Sequence, residues 1–260
     1  MTKQPHSLRH LDDAIRRLGN GSMGEYVKLR TLMANAIVAQ MLPDGVIKGG
    51  SAIKMRFGNA NTRFTTDLDT ATSTDLEAYA SEIALRLKAG WEGFSGIIVS
   101  KDPAHPEGVP QEYVMQPFDV KLSYRGKPWC TVPLEVGHNE IGDADDADWI
   151  ELKDAARAFS EMGFPELEKV PLMSLPHQIA QKIHAVSGGG DRARDLIDLQ
   201  LIFASTNVEL AEVKNVCIRL FRYRDKQSWP PIVTKGENWD LLYASQSEIF
   251  SVKPGVDEAI

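Results

Sequence analysis

The chain has 260 residues, 43% hydrophobic and 25% charged, an ordinary globular composition long enough for one large or two modest cores. Its formal net charge of −7 argues against a generally basic, non-specific nucleic-acid binder, although a local basic groove is compatible with it. Cys130 and Cys217 lie in no CxxC or Cys/His cluster, and no membrane span or signal peptide is visible, so a cytoplasmic protein without structural zinc, disulfides or membrane attachment is expected.

Residues 8–18, LRHLDDAIRRL, predict a short amphipathic helix closed by Gly19, Asn20 and Gly21. A longer helix is expected over 24–42, ended by the turn Pro43, Asp44, Gly45. A strand over Val46–Lys48 then meets a Gly49-Gly50-Ser51 turn and a helix over 51–57, which Gly58 ends. The second strand is expected over 63–70. Thr74 and Asp75 cap a helix running to about Leu87, with Gly90 just past its end. Residues 95–100 read as a strand and 102–110, with three prolines, as a loop. Two alternating runs, 118–124 and 130–136, joined by residues 125–128, form a hairpin by pattern and turn chemistry.

Residues 138–168 are strongly acidic, with Lys153 and Arg157 the only basic side chains. They are expected to hold a linker and one helix, roughly 148–161, and to present either a solvated face or a docking surface for a basic partner. Beyond Val170 the periodicity predicts helices and no further strand. The expected fold class is α+β, a mixed sheet flanked by helices and followed by a helical C-terminal half. The expected domains are residues 1–140 and 141–260.

The chemistry gathers between Val46 and Asp69. In an extended strand residues i and i+2 share a face, so Asp67 and Asp69 project together with Leu68 turned inward. Two carboxylates that close repel unless a cation lies between them. The natural partner is a hard ion such as Mg²⁺, which takes one or two carboxylates plus substrate phosphates. Gly49 and Gly50 admit close backbone approach, and Ser51 adds a hydroxyl and an N–H at a helix start. Alone, a GGS is often a mere turn and a DxD is common on solvated strands. In this order and at this separation they point to nucleotidyl transfer.

The pattern GGSAIKMRFG…RFTTDLD resembles the polymerase-β-type nucleotidyltransferases, and more closely the AbiEii/AbiGii toxin family. HQIAQKIHAV resembles that family's lysine-bearing helix, with Gln181 where the family often has Glu, and RARDLIDL resembles its next motif. Lys182 falls on or beside the inward stripe of Ile179, Ile183 and Val186, where it either snorkels or meets an anion such as a triphosphate. The resemblance assigns Asp195 to the site and gives Asp198 a supporting role. Local chemistry alone makes Arg192–Asp195 and Arg194–Asp198 ordinary helix pairs. Glu135 and Asp119 compete for the third carboxylate. Glu135 is favoured because the family's third acidic position is the last before the helical half, although Pro133 beside it is rare in a central strand. The run RLFRYRDKQSWPP, with Arg219, Arg222, Arg224 and Lys226 among aromatics, suits RNA or a packed helix end.

The resemblance covers about 46–231 and implies a toxin of nucleotidyltransferase fold, usually encoded beside an antitoxin, here expected to be a DNA-binding regulator. It implies Mg²⁺ on Asp67 and Asp69 and NTP phosphates on Gly49, Gly50, Ser51, Thr65, Thr66 and Lys182. Glu135 or Asp195 helps remove the acceptor's proton, and tRNA is the favoured acceptor. A protein hydroxyl, an aminoglycoside-like molecule, or a non-catalytic nucleotide-binding module are the alternatives.

Overall fold

The computed structural model describes residues 3–104, 114–247 and 249–260. Among them one mixed sheet organises the chain. Its strands are β1 (Val46–Lys48), β2 (Leu68–Thr72), β3 (Phe94–Ser100), β4 (Gln116–Tyr124), β5 (Lys127–His138), β6 (Ala147–Ile150) and β7 (Val170–Met173), lying in the order β3-β4-β5-β2-β1-β7-β6. β2 runs parallel to β5 and β1 parallel to β7, while β1 and β2 are antiparallel. The centre of the sheet is apolar, with Ile47, Leu68 and Ala71 fully buried. The β4–β5 hairpin alternates, turning Phe118, Val120, Leu122 and Tyr124 inward against Val132 and Leu134.

The helices divide by which apolar cluster they feed. α1 (Leu8–Leu18), α2 (Met23–Gln40), α4 (Leu76–Ala89) and α5 (Lys153–Glu161) pack with the sheet strands in one large core. α3 (Gly49–Phe57) joins α6 (Leu175–Ser187), α7 (Ala193–Ser205) and α8 (Leu210–Arg224) through Ile53, Ile179, Ile202, Val216 and Leu220. α9 (Trp239–Ser247) and α10 (Val256–Ala259) close a third cluster around Trp239. Start signals behave as their chemistry requires: Ser7, Ser22 and Asp75 accept backbone N–H bonds at the beginnings of α1, α2 and α4.

Several expectations are corrected. β2 begins at Leu68, five residues after the predicted start, because its partner β1 has only three residues and pairs with Asp69, Thr70 and Ala71. Asp67 therefore precedes the ladder. α3 begins at Gly49, two residues early. β6 and β7 lie where a linker and only helices were expected. Each has four residues, β6 leaves Trp149 62% exposed at the sheet edge, and β7 carries Pro171. Runs that short show no usable period. The hairpin turn is Arg125-Gly126 alone, both at positive φ, the backbone that suits a two-residue loop. Of the predicted 102–110 loop, residues 102–104 are irregular and the rest lies outside the described residues.

The acidic segment is largely committed within the fold. Asp148 pairs with Arg56 at 2.8 Å, Asp154 accepts from the Asn59 N–H, and Asp145 accepts from Ser73 and Asn139. Its helix α5 is fastened by rings: Phe159 meets Trp91 edge-on at 5.5 Å and Phe164 at 5.3 Å, beside Phe94. Phe159 is fully buried, so Phe159→Ala is expected to cost about 3–5 kcal/mol, read as a lowered midpoint in urea unfolding with an unchanged slope.

Candidate active site

The sheet's register sets three charged side chains abreast. Lys48 on β1 is the cross-strand neighbour of Asp69 on β2, and Asp69 is the neighbour of Glu135 on β5. Asp119 pairs instead with Pro133, and its carboxylate meets Lys101 at 3.5 Å. Glu135 thus faces a cavity of about 750 Å³ whose wall also includes Lys48, Gly49, Gly50, Thr65, Thr66, Asp67, Asp69, Lys182 and Asp195.

Gly49 is required where it stands. Its φ is +67°, and a Cβ there would lie 1.8 Å from Asp69 Oδ2. The backbone at the start of α3 therefore touches the carboxylate directly. Ser51 lies behind this wall. It is 1% exposed, and its hydroxyl donates to the Asp67 carbonyl, tying α3 to the segment that enters β2. The Ser51 hydroxyl, expected to face a phosphate, is engaged in this bond. Thr66 Oγ1 donates to Asp67 Oδ1 at 2.9 Å and Thr65 is buried in the wall.

Across the cavity stands a buried ionic cluster. Lys182 Nζ donates to Asp195 Oδ1 at 2.8 Å and to Asp198 Oδ2 at 2.7 Å. Arg63 grips Asp198 with two nitrogens, Nε at 2.9 Å and Nη2 at 3.0 Å. Asp198 is 1% exposed. Burial opposes its ionisation, but Lys182 and Arg63 outweigh burial and hold its pKa below the usual carboxylate value. The expected helix pair Arg194–Asp198 gives way to these two long-range partners. Arg192 does pair with Asp195, at 3.6 Å.

Asp69 behaves oppositely. Burial pushes its pKa up to about 6; Lys48 restrains the rise, and Glu135 and Asp67 add to it. A carboxylate this crowded by like charge is suited to a cation. Among the described residues no group of three or more His, Cys, Asp or Glu is arranged to hold a metal. Two carboxylates suffice for Mg²⁺, which completes its shell with water and phosphate oxygens, so the donors present fit that ion better than zinc.

A model of the family described as nucleotidyl transferase AbiEii toxin, type IV toxin–antitoxin system, matches residues 30–253. The chain belongs to the AbiEii family. It is accordingly a nucleotidyltransferase toxin, a class that uses an NTP and is partnered by an antitoxin. Its fold is similar to MenT4, a nucleotidyltransferase toxin from Mycobacterium tuberculosis H37Rv, with TM-score 0.53 at 19% identity over 80% of this chain and 68% of that one. JHP933 from Helicobacter pylori matches with TM-score 0.40 at 17% identity, over 74% and 76% of the two chains. None of the curated proteins matches the sequence significantly.

Five cationic residues of this AbiEii cavity were not singled out as site residues from sequence: Lys48, Arg63, Arg192, Arg194 and Arg224. Lys48 adjoins the glycine pair, a signal that was available. Arg63 is 135 residues from Asp198, a separation over which no local pattern speaks. Arg224 came from the basic-aromatic run. It bonds Glu140 at 2.9 Å, while Phe221 of the same run is buried against Trp229 at 5.3 Å, so that run is substantially structural. Removing the shared anion should reveal the hub: Asp198→Ala, which strands two buried cations, is expected to cost about 3–5 kcal/mol. Asp195→Ala, at a carboxylate 16% exposed, is expected to cost distinctly less, and equal losses in thermal unfolding would contradict this ranking.

Proposed function

We propose that this toxin transfers a nucleoside monophosphate from an NTP to a hydroxyl of RNA, tRNA foremost, with Mg²⁺ held by Asp67 and Asp69. The observation that carries the proposal is the pairing, across one cavity, of a crowded carboxylate row with a cation-rich wall. A chain of net charge −7 nevertheless gathers Lys48, Arg63, Lys182, Arg192, Arg194 and Arg224 in the lining of a single cavity, four of them held in place by carboxylates. Such a concentration suits a polyanion.

In this mechanism the backbone at Gly49 and Gly50 receives the phosphates at the N-terminus of α3, where unpaired N–H groups and the helix dipole favour negative charge. Asp67 and Asp69 would hold the Mg²⁺, which would supply charge neutralisation at the phosphates. Lys182 faces the same space, held in place by Asp195 and Asp198, and meets the charge that accumulates on the leaving pyrophosphate. The acceptor oxygen bonds to the α-phosphorus as the bond to the pyrophosphate oxygen breaks. The acceptor's proton passes to a carboxylate. Glu135 is the better base of the two candidates, because Asp195 is committed to Lys182 at 2.8 Å and to Arg192. Catalysis is then mainly positioning and charge neutralisation.

The RNA acceptor is favoured over a cationic small molecule because the acidic 138–168 segment spends Asp145, Asp148 and Asp154 on internal partners. The antitoxin is proposed to be a DNA-binding regulator, as in the resembling family.

Incubation with each α-³²P-labelled NTP, Mg²⁺ and total bacterial tRNA tests the reading. Label is expected on RNA with wild type and none with Asp67→Ala; transfer by a clean, folded Asp67→Ala preparation would sink the mechanism. A second outcome concerns stability. The Asp69 carboxyl is raised from its ordinary 3.8 to about 6, so its contribution is fully present below pH 3.8 and is lost as pH rises through 6. Asp69→Asn is therefore expected to stabilise the metal-free protein at pH 7, by about 2–4 °C in Tm for each kcal/mol of charge-burial cost relieved, while abolishing transfer. An Asn variant less stable than wild type at pH 7 without metal would refute the assigned strain.

A further inference from the structure

Gln178 lies on α6 one turn before Lys182, on the helix side that also gives Gln181 and Ala185 to the cavity. Its side chain is buried, 3% exposed, and neither Oε1 nor Nε2 has a hydrogen-bond partner. Among the described residues it is the only side chain with two buried polar atoms left so. Gln181 supplies the contrast: its Nε2 donates to Asp143 Oδ2 at 2.7 Å. A buried amide without partners is costly, and a folded protein keeps one where something outside the chain supplies what is missing. An apolar residue of similar volume would otherwise serve better beside the core residues Ile179 and Ala180.

Phosphate does not answer this need. Its oxygens only accept, so they would meet Nε2 and leave Oε1 facing negative charge. The cavity already offers phosphates Lys48, Arg63 and Lys182. An amide with both atoms free matches a group presenting a donor beside an acceptor, and in a nucleoside triphosphate the base edge does this. We propose that Gln178 is a specificity-determining residue whose amide pairs with the donor–acceptor edge of the incoming nucleotide's base. The proposal rests on the nucleotidyl-transfer reading and adds to it the group that selects among NTPs. A site built around such a pair discriminates strongly, because the wrong partner leaves its buried atoms unmatched. Ribose hydroxyls share the donor and acceptor chemistry, so the test separates them from the base.

Equilibrium binding of ATP, CTP, GTP and UTP, and of their 2′-deoxy forms, is measured with Mg²⁺ and no acceptor. Wild type, Gln178→Met and Gln178→Glu are compared, and thermal unfolding is followed for each. Wild type is expected to prefer one or two bases. Gln178→Met, close in volume, is expected to weaken the preferred NTP about tenfold and to flatten the ranking, with Tm equal to or above wild type because the orphaned atoms are gone. Gln178→Glu keeps the shape but only accepts, and is expected to lose the same preference, which preserves the test if the Met variant misfolds. Unchanged affinities and ranking in both variants overturn the proposal. So does a variant that keeps base ranking and loses only the distinction between ribo and deoxy forms. A wild type that binds no NTP defeats the nucleotidyl-transfer reading itself, an outcome distinct from equal binding by wild type and variants.

Discussion

The Asp198 carboxylate is the point on which the two sides of the molecule close. It accepts from Lys182 on α6 and from Arg63 on the segment that leads into β2, and its own helix, α7, packs on α6 through the apolar cluster around Ile179 and Ile202. A buried ion pair of this kind is weak as a stabiliser when compared with an apolar replacement, because both partners lose water. Its value is positional. Arg63 lies four residues before Asp67, so fixing its guanidinium fixes the approach to the carboxylate pair. Lys182 is held at the cavity wall by two oxygens at once. One anion therefore sets where both the acidic and the basic walls stand.

The acidic row depends on the sheet, and its arrangement is dictated by pairing register more than by local sequence. Lys48, Asp69 and Glu135 come from strands separated widely in the chain, and they become neighbours only because β2 pairs parallel with β5 and antiparallel with β1. A shift of one residue in either ladder would turn Asp69 toward the core and Leu68 toward solvent. Leu68 and Leu134, both fully buried and registered opposite each other, make that slip expensive. Packing on one face of the sheet thus enforces the electrostatics on the other.

Much of this was legible in the sequence where the information is local. The helix over Leu8–Leu18, the capped start at Asp75, the glycine turn before α3 and the β4–β5 hairpin follow from period, capping and turn chemistry. The glycine pair, Asp67 and Asp69, read together from their spacing, line one cavity. β6 and β7 were not legible, since four residues with an exposed Trp149 or a proline carry no distinguishing period. The Arg63–Asp198 bond is equally silent, being a matter of tertiary geometry. The anchoring role of Ser51 was likewise silent: its hydroxyl ties the turn to the Asp67 carbonyl, a contact that depends on the fold.

The 135 residues between Arg63 and Asp198 also set a clock. Synthesis proceeds from the N-terminus at about 5–20 residues per second, so the glycine turn and both acidic residues leave the ribosome roughly 7–27 s before the anion that organises the opposite wall. During that interval the nascent chain holds Asp67 and Asp69 without the wall that faces them. Until Asp198 has emerged, Arg63 lacks the carboxylate that fixes it, and the cavity lacks its second wall.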